Sequence, residues 1–268
     1  MLHRSSRALA ASLPPLILLS KSRLSTQCAS AALPQEHKLT LYQYKICPFC
    51  HRVKAFLDFH QIKYDTVEVN PLTKAEISFS KEYKKVPLMK IDDESFGDSG
   101  LILKKVQERF GIDNSLITSD TEKWMEWSEK RLAVMLYPNI TRNFNEAWEA
   151  FAYTSNVDSW DPIAKYSNRT LGPVAMYFAN GKIKKKYNIV NEREELKAVL
   201  EEWTTAVGGK KFLHGDKITM PDLMVYGVLR AIDGFTTFNE VMATNPPLRE
   251  WYQRVQSQVD SRRNAPRI

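Results

Sequence analysis

The sequence predicts an α/β domain followed by an all-α domain, and three observations carry that expectation. Short apolar runs alternate with amphipathic helical patterns from Leu39 to Phe110. From about Gly111 the strand-like runs stop and helical periodicity takes over. Within this second part Thr219 to Asp233 is apolar almost all round, which marks a helix packed on every side. A chain of 268 residues suits two domains. The expected division is a basic leader over 1–35, the α/β domain over 36–112, a linker over 113–120 and the helical domain over 121–268.

Taken in order, Leu39 to Tyr42 is a short apolar strand, and Val53, Phe56, Leu57 and His60 repeat at the spacing of an amphipathic helix. Tyr64 to Val69 alternates with period two and stops at Asn70-Pro71. Leu72 to Ser80 reads as a weaker helix. Val86 to Ile91 is a strand entered through Pro87, and the acidic turn Asp92-Asp93-Glu94 leads to a short strand near Phe96. Asp98-Ser99 then precedes a helix over Leu101 to Phe110. This order implies a small sheet, parallel in its first half and antiparallel in its second. In the helical part Leu196, Val199, Leu200, Trp203 and Val207 form one stripe that ends at Gly208-Gly209. Thr219 and Asp222 have the spacing of a capping box, with Ile218 placed to staple onto Leu223. The tryptophans and tyrosines of this part are read as core.

Cys47-Pro48-Phe49-Cys50 opens the first helical pattern directly after a strand. Three residues apart at a helix start, the two thiols fall on one face. Pro48 suits the first helical position, where a missing N–H costs nothing. Cys47 then meets the unpaired N–H groups and the positive end of the helix dipole, which stabilise a thiolate. In such motifs the thiol pKa falls from about 8.5 to roughly 3.5–7.5. Cys50 is the shielded partner. Because His51 follows, the string also fits a c-type haem attachment signature, and zinc ligation or two inert structural cysteines are further readings. The strand-to-helix context favours a reactive dithiol of thioredoxin type.

Three cysteines are too few for a disulfide scaffold, and 43% hydrophobic residues suffice for packed cores. The net charge is +7, but Arg4, Arg7, Lys21 and Arg23 stand in a leader without acids; setting these four aside leaves 34 basic residues against 31 acidic ones. So small an excess argues against nucleic acid as a partner, and Gly181 to Lys186 is read as a solvated helix end or loop. Ala8 to Leu19 is interrupted by Pro14-Pro15 and is shorter than the roughly 20 residues a spanning helix needs. Arginine, serine and alanine without acids suit a mitochondrial transit peptide; a secretory signal or short membrane anchor is the other reading. Sequons at Asn139 and Asn168 matter only on a luminal route.

Cys-Pro-x-Cys after the first strand, Val-Pro before the third and Asp-Ser before the helix that follows the sheet resemble the thioredoxin/glutaredoxin-like domain that begins glutathione transferases. The capped Thr219-x-x-Asp222 helix resembles the central helix of their all-α second domain. More closely, Tyr42 to Cys50, Phe56 to His60, Val67 to Pro71 and Leu223 to Arg230 resemble the family of membrane-associated prostaglandin E synthases of type 2, over nearly all the chain after residue 36. The connection from Leu101 to Asp120 is shorter than in that family. The resemblance implies isomerisation of prostaglandin H2 to prostaglandin E2, with Cys47 and Cys50 as the thiols and Tyr44 orienting a substrate oxygen. It implies a glutathione-like thiol paired with the backbone of Val86 before a cis Pro87, its γ-glutamyl end held by Asp98 and Ser99. Haem as an alternative ligand, a homodimer, a lipid cleft between the domains, and membrane association at mitochondrion or Golgi complete what it implies. A general thiol–disulfide oxidoreductase and a non-catalytic binding protein for glutathione, haem or lipid are the competing readings.

Overall fold

Alternation of Leu39, Leu41 and Gln43, all buried, with the half-buried Thr40 and Tyr42 makes the first strand, β1 (Leu39–Gln43), a strand with one face in the core. The computed structural model describes residues 37–113 and 118–264, so the leader expected over 1–35 lies outside the described residues. β1 is the second strand of a four-stranded sheet in the order β2-β1-β3-β4, with β2 at Asp65–Glu68, β3 at Leu88–Ile91 and β4 at Glu94–Gly97. β1 runs parallel to β2 (Leu41 beside Thr66) and antiparallel to β3 (Leu41 beside Met89), and β3 pairs antiparallel with β4. That is the half-parallel, half-antiparallel sheet expected.

Helices α1 (Pro48–Phe59) and α2 (Ser99–Phe110) belong to the sheet. The rest is helical: α3 (Ser119–Trp127), α4 (Ala133–Ile140), α5 (Phe144–Ala150), α6 (Pro162–Tyr187), α7 (Glu192–Val207), α8 (Met220–Arg230), α9 (Thr236–Thr244) and α10 (Pro246–Arg263). A π-turn over Ser128–Leu132 joins α3 to α4. α3 begins at Ser119 with Thr118 as its cap, so the helical part starts inside the segment assigned to the linker. Lys184 to Lys186 close α6, and Lys184 pairs with Glu192.

The helix expected over Leu72 to Ser80 does not form. Asn70 Oδ1 accepts from the N–H groups of Leu72 (3.0 Å) and Thr73 (3.3 Å), and Lys74 turns left-handed at φ 53°. The side-chain turn competes with helix, and only a 3-10 turn at Ala75–Ile77 remains.

The two parts share one hydrophobic core, with α1 and α8 at its centre. Gly227 of α8 lies against the α1 backbone: a Cβ there would sit 2.6 Å from His51 O and 2.7 Å from Arg52 Cα. Neither atom can swing away. Gly227→Ala is therefore expected to cost about 3 kcal/mol, the upper range of core overpacking. Urea unfolding checks this, and a change below about 1 kcal/mol would mean that the helices part without strain. Beyond this contact, the α7 stripe is buried, and Trp203 meets Trp124, Trp127 and Trp251 at centroid distances of 5.1–6.0 Å, so these rings are core as expected, whereas Trp148, Tyr166, Tyr177 and Tyr187 are exposed and are not.

Candidate active site at the start of α1

Cys47 is the N-cap of α1, Pro48 its first residue and Cys50 the third, at the end of β1 where the chain leaves the sheet. Both cysteines are free thiols, 3% and 0% exposed. Burial by itself would push both thiols up. At Cys47 it is outweighed by the Cys50 thiol, which hydrogen-bonds to the sulfur, and by the N–H groups of Cys50 and Phe49, so its pKa is lowered. At Cys50 burial adds to the hydrogen bond and the charge of Cys47, and its pKa is pushed well up. Ionisation of the pair is thus favoured at Cys47 and disfavoured at Cys50.

The sheet supplies the surroundings. Tyr44 is half-buried, its carbonyl accepts from the Cys47 N–H at 2.9 Å, and burial followed by the thiol charges raises its pKa to about 12. It therefore remains a phenol at neutral pH. Tyr44 and Val86 pack into the same small apolar cluster with Tyr83. The Val86–Pro87 bond is cis, and the β3 ladder begins only at Leu88, which leaves the Val86 backbone beyond the paired strands.

Asp98 and Ser99 separate in the structure. Asp98, exposed at φ 71°, caps α2 by accepting from Gly100 N (2.9 Å) and Leu101 N (3.4 Å). Ser99 is 1% exposed and its Oγ accepts from Arg52 Nη1 at 3.0 Å, the same nitrogen that donates to Glu129 Oε2 at 2.8 Å. Its hydroxyl is therefore turned inward, toward a buried cation.

Four residues that sequence reading missed also gather here. Tyr83, packed over Gly97, hydrogen-bonds to the Asp98 backbone and lies in the field of both thiols. From the helical part come Tyr137 of α4, whose electrostatic neighbours are Cys47, Cys50 and Tyr44, and Tyr153, which donates to Glu68. Burial pushes both phenols up. Glu68 is raised to about 6 by burial, although Lys45 N (2.7 Å) and Gln43 Nε2 (3.1 Å) donate to it, and its charge works against ionisation of either thiol. Only the alternation Val67-Glu68-Val69, a charge inside a strand, could have drawn attention to it.

His51 is buried and its Nε2 donates to Lys45 O (2.8 Å). Burial lowers its pKa to about 3, so the ring is neutral with Nε2 as the donor. That nitrogen is unavailable to iron, and the ring does not fit the role a haem attachment signature gives it. A cleft of about 630 Å³ opens beside the C-terminal half of α1, not at the dithiol.

The N-terminal domain of glutathione S-transferases matches residues 41–115, and their C-terminal domain residues 170–259. The chain is similar to prostaglandin E synthase 2 of Danio rerio, 30% identical over 84% of this chain and 72% of that protein. It is similar to the Mus musculus protein of the same name at 28% over 89% and 74%. Among solved structures, a glutathione S-transferase from Rhodospirillum rubrum shares the fold with a TM-score of 0.55 at 15% identity, over 85% of this chain and 93% of the other.

Proposed function

We propose, on the premise that this chain belongs to the prostaglandin E synthase 2 family within the glutathione-transferase fold, that it is a glutathione-dependent enzyme which isomerises prostaglandin H2 to prostaglandin E2. The observation that carries the reading is the divided dithiol, with Cys47 held below its usual range beside a Tyr44 that keeps its proton.

The isomerisation needs no external oxidant or reductant. The Cys47 thiolate attacks one endoperoxide oxygen, an S–O bond forms and the weak O–O bond breaks. The other oxygen leaves as an alkoxide and takes a proton, with the Tyr44 phenol as the donor facing it. The Tyr44 phenolate left by that transfer takes the hydrogen on the carbon bearing the S–O group as a proton, which makes the ketone, breaks the S–O bond with its electron pair going to sulfur and restores the phenol. Thiolate is regenerated, and substrate and product have the same atoms.

Glutathione fits residues present here, and when bound it supplies a thiol at the dithiol. The Val86 backbone, free of the ladder, would pair with the tripeptide, and the exposed Asp98 carboxylate would meet its ammonium. Ser99 serves Arg52 instead of the ligand. A homodimer through the exposed apolar side chains of α6, among them Ile163, Tyr166 and Phe178, and a basic leader that acts as a transit peptide or membrane anchor complete the proposal.

The same dithiol division also suits a thiol–disulfide oxidoreductase. Product analysis with prostaglandin H2, beside turnover of a glutathione mixed disulfide, separates the two. Prostaglandin E2 formed faster than in buffer, and only by the reduced protein, is the expected result. Mixed-disulfide turnover without isomerisation would replace the proposal with the reductase, and binding without either activity would make the chain a binding protein.

A further inference from the structure

The cleft beside the C-terminal half of α1 has the chemistry of an anion site. Its cations come from both parts of the chain: Lys38 just before β1, Lys54 on α1, Arg230 at the end of α8 and Arg263 at the end of α10. Two carboxylates, Asp58 and Asp65, line the cleft beside these four cations. Asp58 is already occupied, since Arg230 Nη1 donates to its Oδ2 at 2.7 Å and Tyr64 Oη to its Oδ1 at 3.0 Å. Asp65 lies on the exposed rim. Among the described residues that line the cleft, positive charge is left over.

Lys54 is the informative residue. It is half-buried, and among the described residues it forms no ion pair. Burial and the charge of Arg230 both press it toward losing its proton, with Asp58, Cys50 and Glu68 pulling the other way. A desolvated ammonium beside a guanidinium is costly unless an anion satisfies it. The volume of about 630 Å³ lies within the range of small-molecule sites and exceeds what a bare ion fills.

We propose that this cleft binds a dianionic phosphate group carried by a small soluble molecule, with Lys54, Arg230 and Arg263 as its principal contacts. A phosphate monoester carries about −1.5 to −2 charge at neutral pH and three acceptor oxygens, which matches the cation surplus better than a single carboxylate does. Arginine forks recognise such oxygens in pairs. The ligand would join α1, α8 and α10 across the seam between the two parts. The proposal is independent of the reaction assigned to the dithiol.

The test is calorimetric titration of the full chain with inorganic phosphate and pyrophosphate, with chloride holding the ionic strength constant. Saturable binding is expected, weakened roughly tenfold or more in Lys54→Gln, as befits loss of a charge-assisted hydrogen bond. Circular dichroism confirms that the variant folds. If it does not, the rim pair Lys38→Gln and Arg263→Gln carries the same expectation. Sedimentation with phosphatidylcholine vesicles, with and without phosphatidic acid, distinguishes a lipid headgroup. Absence of saturable phosphate binding, equal affinity in the variants, or Lys54-dependent binding to phosphatidic acid vesicles alone would overturn the assignment.

Discussion

Replacing Cys47 with serine is expected to abolish isomerisation of prostaglandin H2, with a loss in kcat of at least about a hundredfold, whereas Cys50→Ser keeps most of the activity. The asymmetry follows from the division of the pair. Cys47 is lowered by the Cys50 thiol and the N–H groups of the helix start, while burial and the neighbouring charge hold the proton on Cys50. Serine at position 47 has no accessible anion at neutral pH and a far poorer nucleophile. In Cys50→Ser the hydroxyl still donates to the thiolate, so the Cys47 pKa moves little. Both variants are assayed on prostaglandin H2 and on a protein disulfide. A dithiol reductase needs Cys50 as its resolving group, so loss of disulfide turnover in Cys50→Ser with isomerisation intact would place the two activities on different chemistry. Equal loss of isomerisation in both variants would sink the single-thiol mechanism.

The second large effect concerns stability. Asp222→Ala is expected to cost about 4 kcal/mol, because this fully buried carboxylate serves four donors at once. Its Oδ2 accepts from Thr219 N (3.1 Å) and Thr219 Oγ1 (2.9 Å), closing the capping box of α8. Its Oδ1 accepts from Leu213 N (3.0 Å) and from the indole of Trp251 (3.0 Å). Alanine leaves the Leu213 N–H and the Trp251 indole buried without a partner and uncaps the central helix. For a domain of this size the midpoint of thermal unfolding should fall by about 10 °C. Asp222→Asn, which keeps one acceptor oxygen for the buried Leu213 and Trp251 donors and turns its NH2 toward Thr219, should lose less. Urea unfolding of both variants checks the order, and equal losses would show that charge, not hydrogen bonding, holds this junction.

The four donors of Asp222 also show how far the sequence could be read. The two from Thr219 lie three residues away, and the pattern Thr-x-x-Asp announced them. Leu213 and Trp251 come from other segments and left no local mark. The dithiol followed the same division. Strand, Cys47 as cap, Pro48 at the first helical position and Cys50 one turn in are all short-range relations, legible because a helix start has fixed hydrogen-bonding needs. The failure at Leu72 to Ser80 had the same scale but a different competitor: the Asn70 side chain took the N–H groups a helix would have organised.

What the sequence determined by itself is therefore local: the order of strands and helices, the capped and apolar α8, and a thiol set at the positive end of α1. Each depends on neighbours within about a turn of one another, whose geometry the backbone supplies. Tertiary structure decided which way Ser99 faces, because Arg52 is buried between α2 and the π-turn and takes its hydroxyl. It also decided that Tyr137, Tyr153 and Glu68 surround the dithiol, and that Lys54 is left in a cationic cleft. These outcomes depend on which distant segments pack together and on how much water they exclude. Desolvation sets the ionisation of a buried group, and no residue spacing records it.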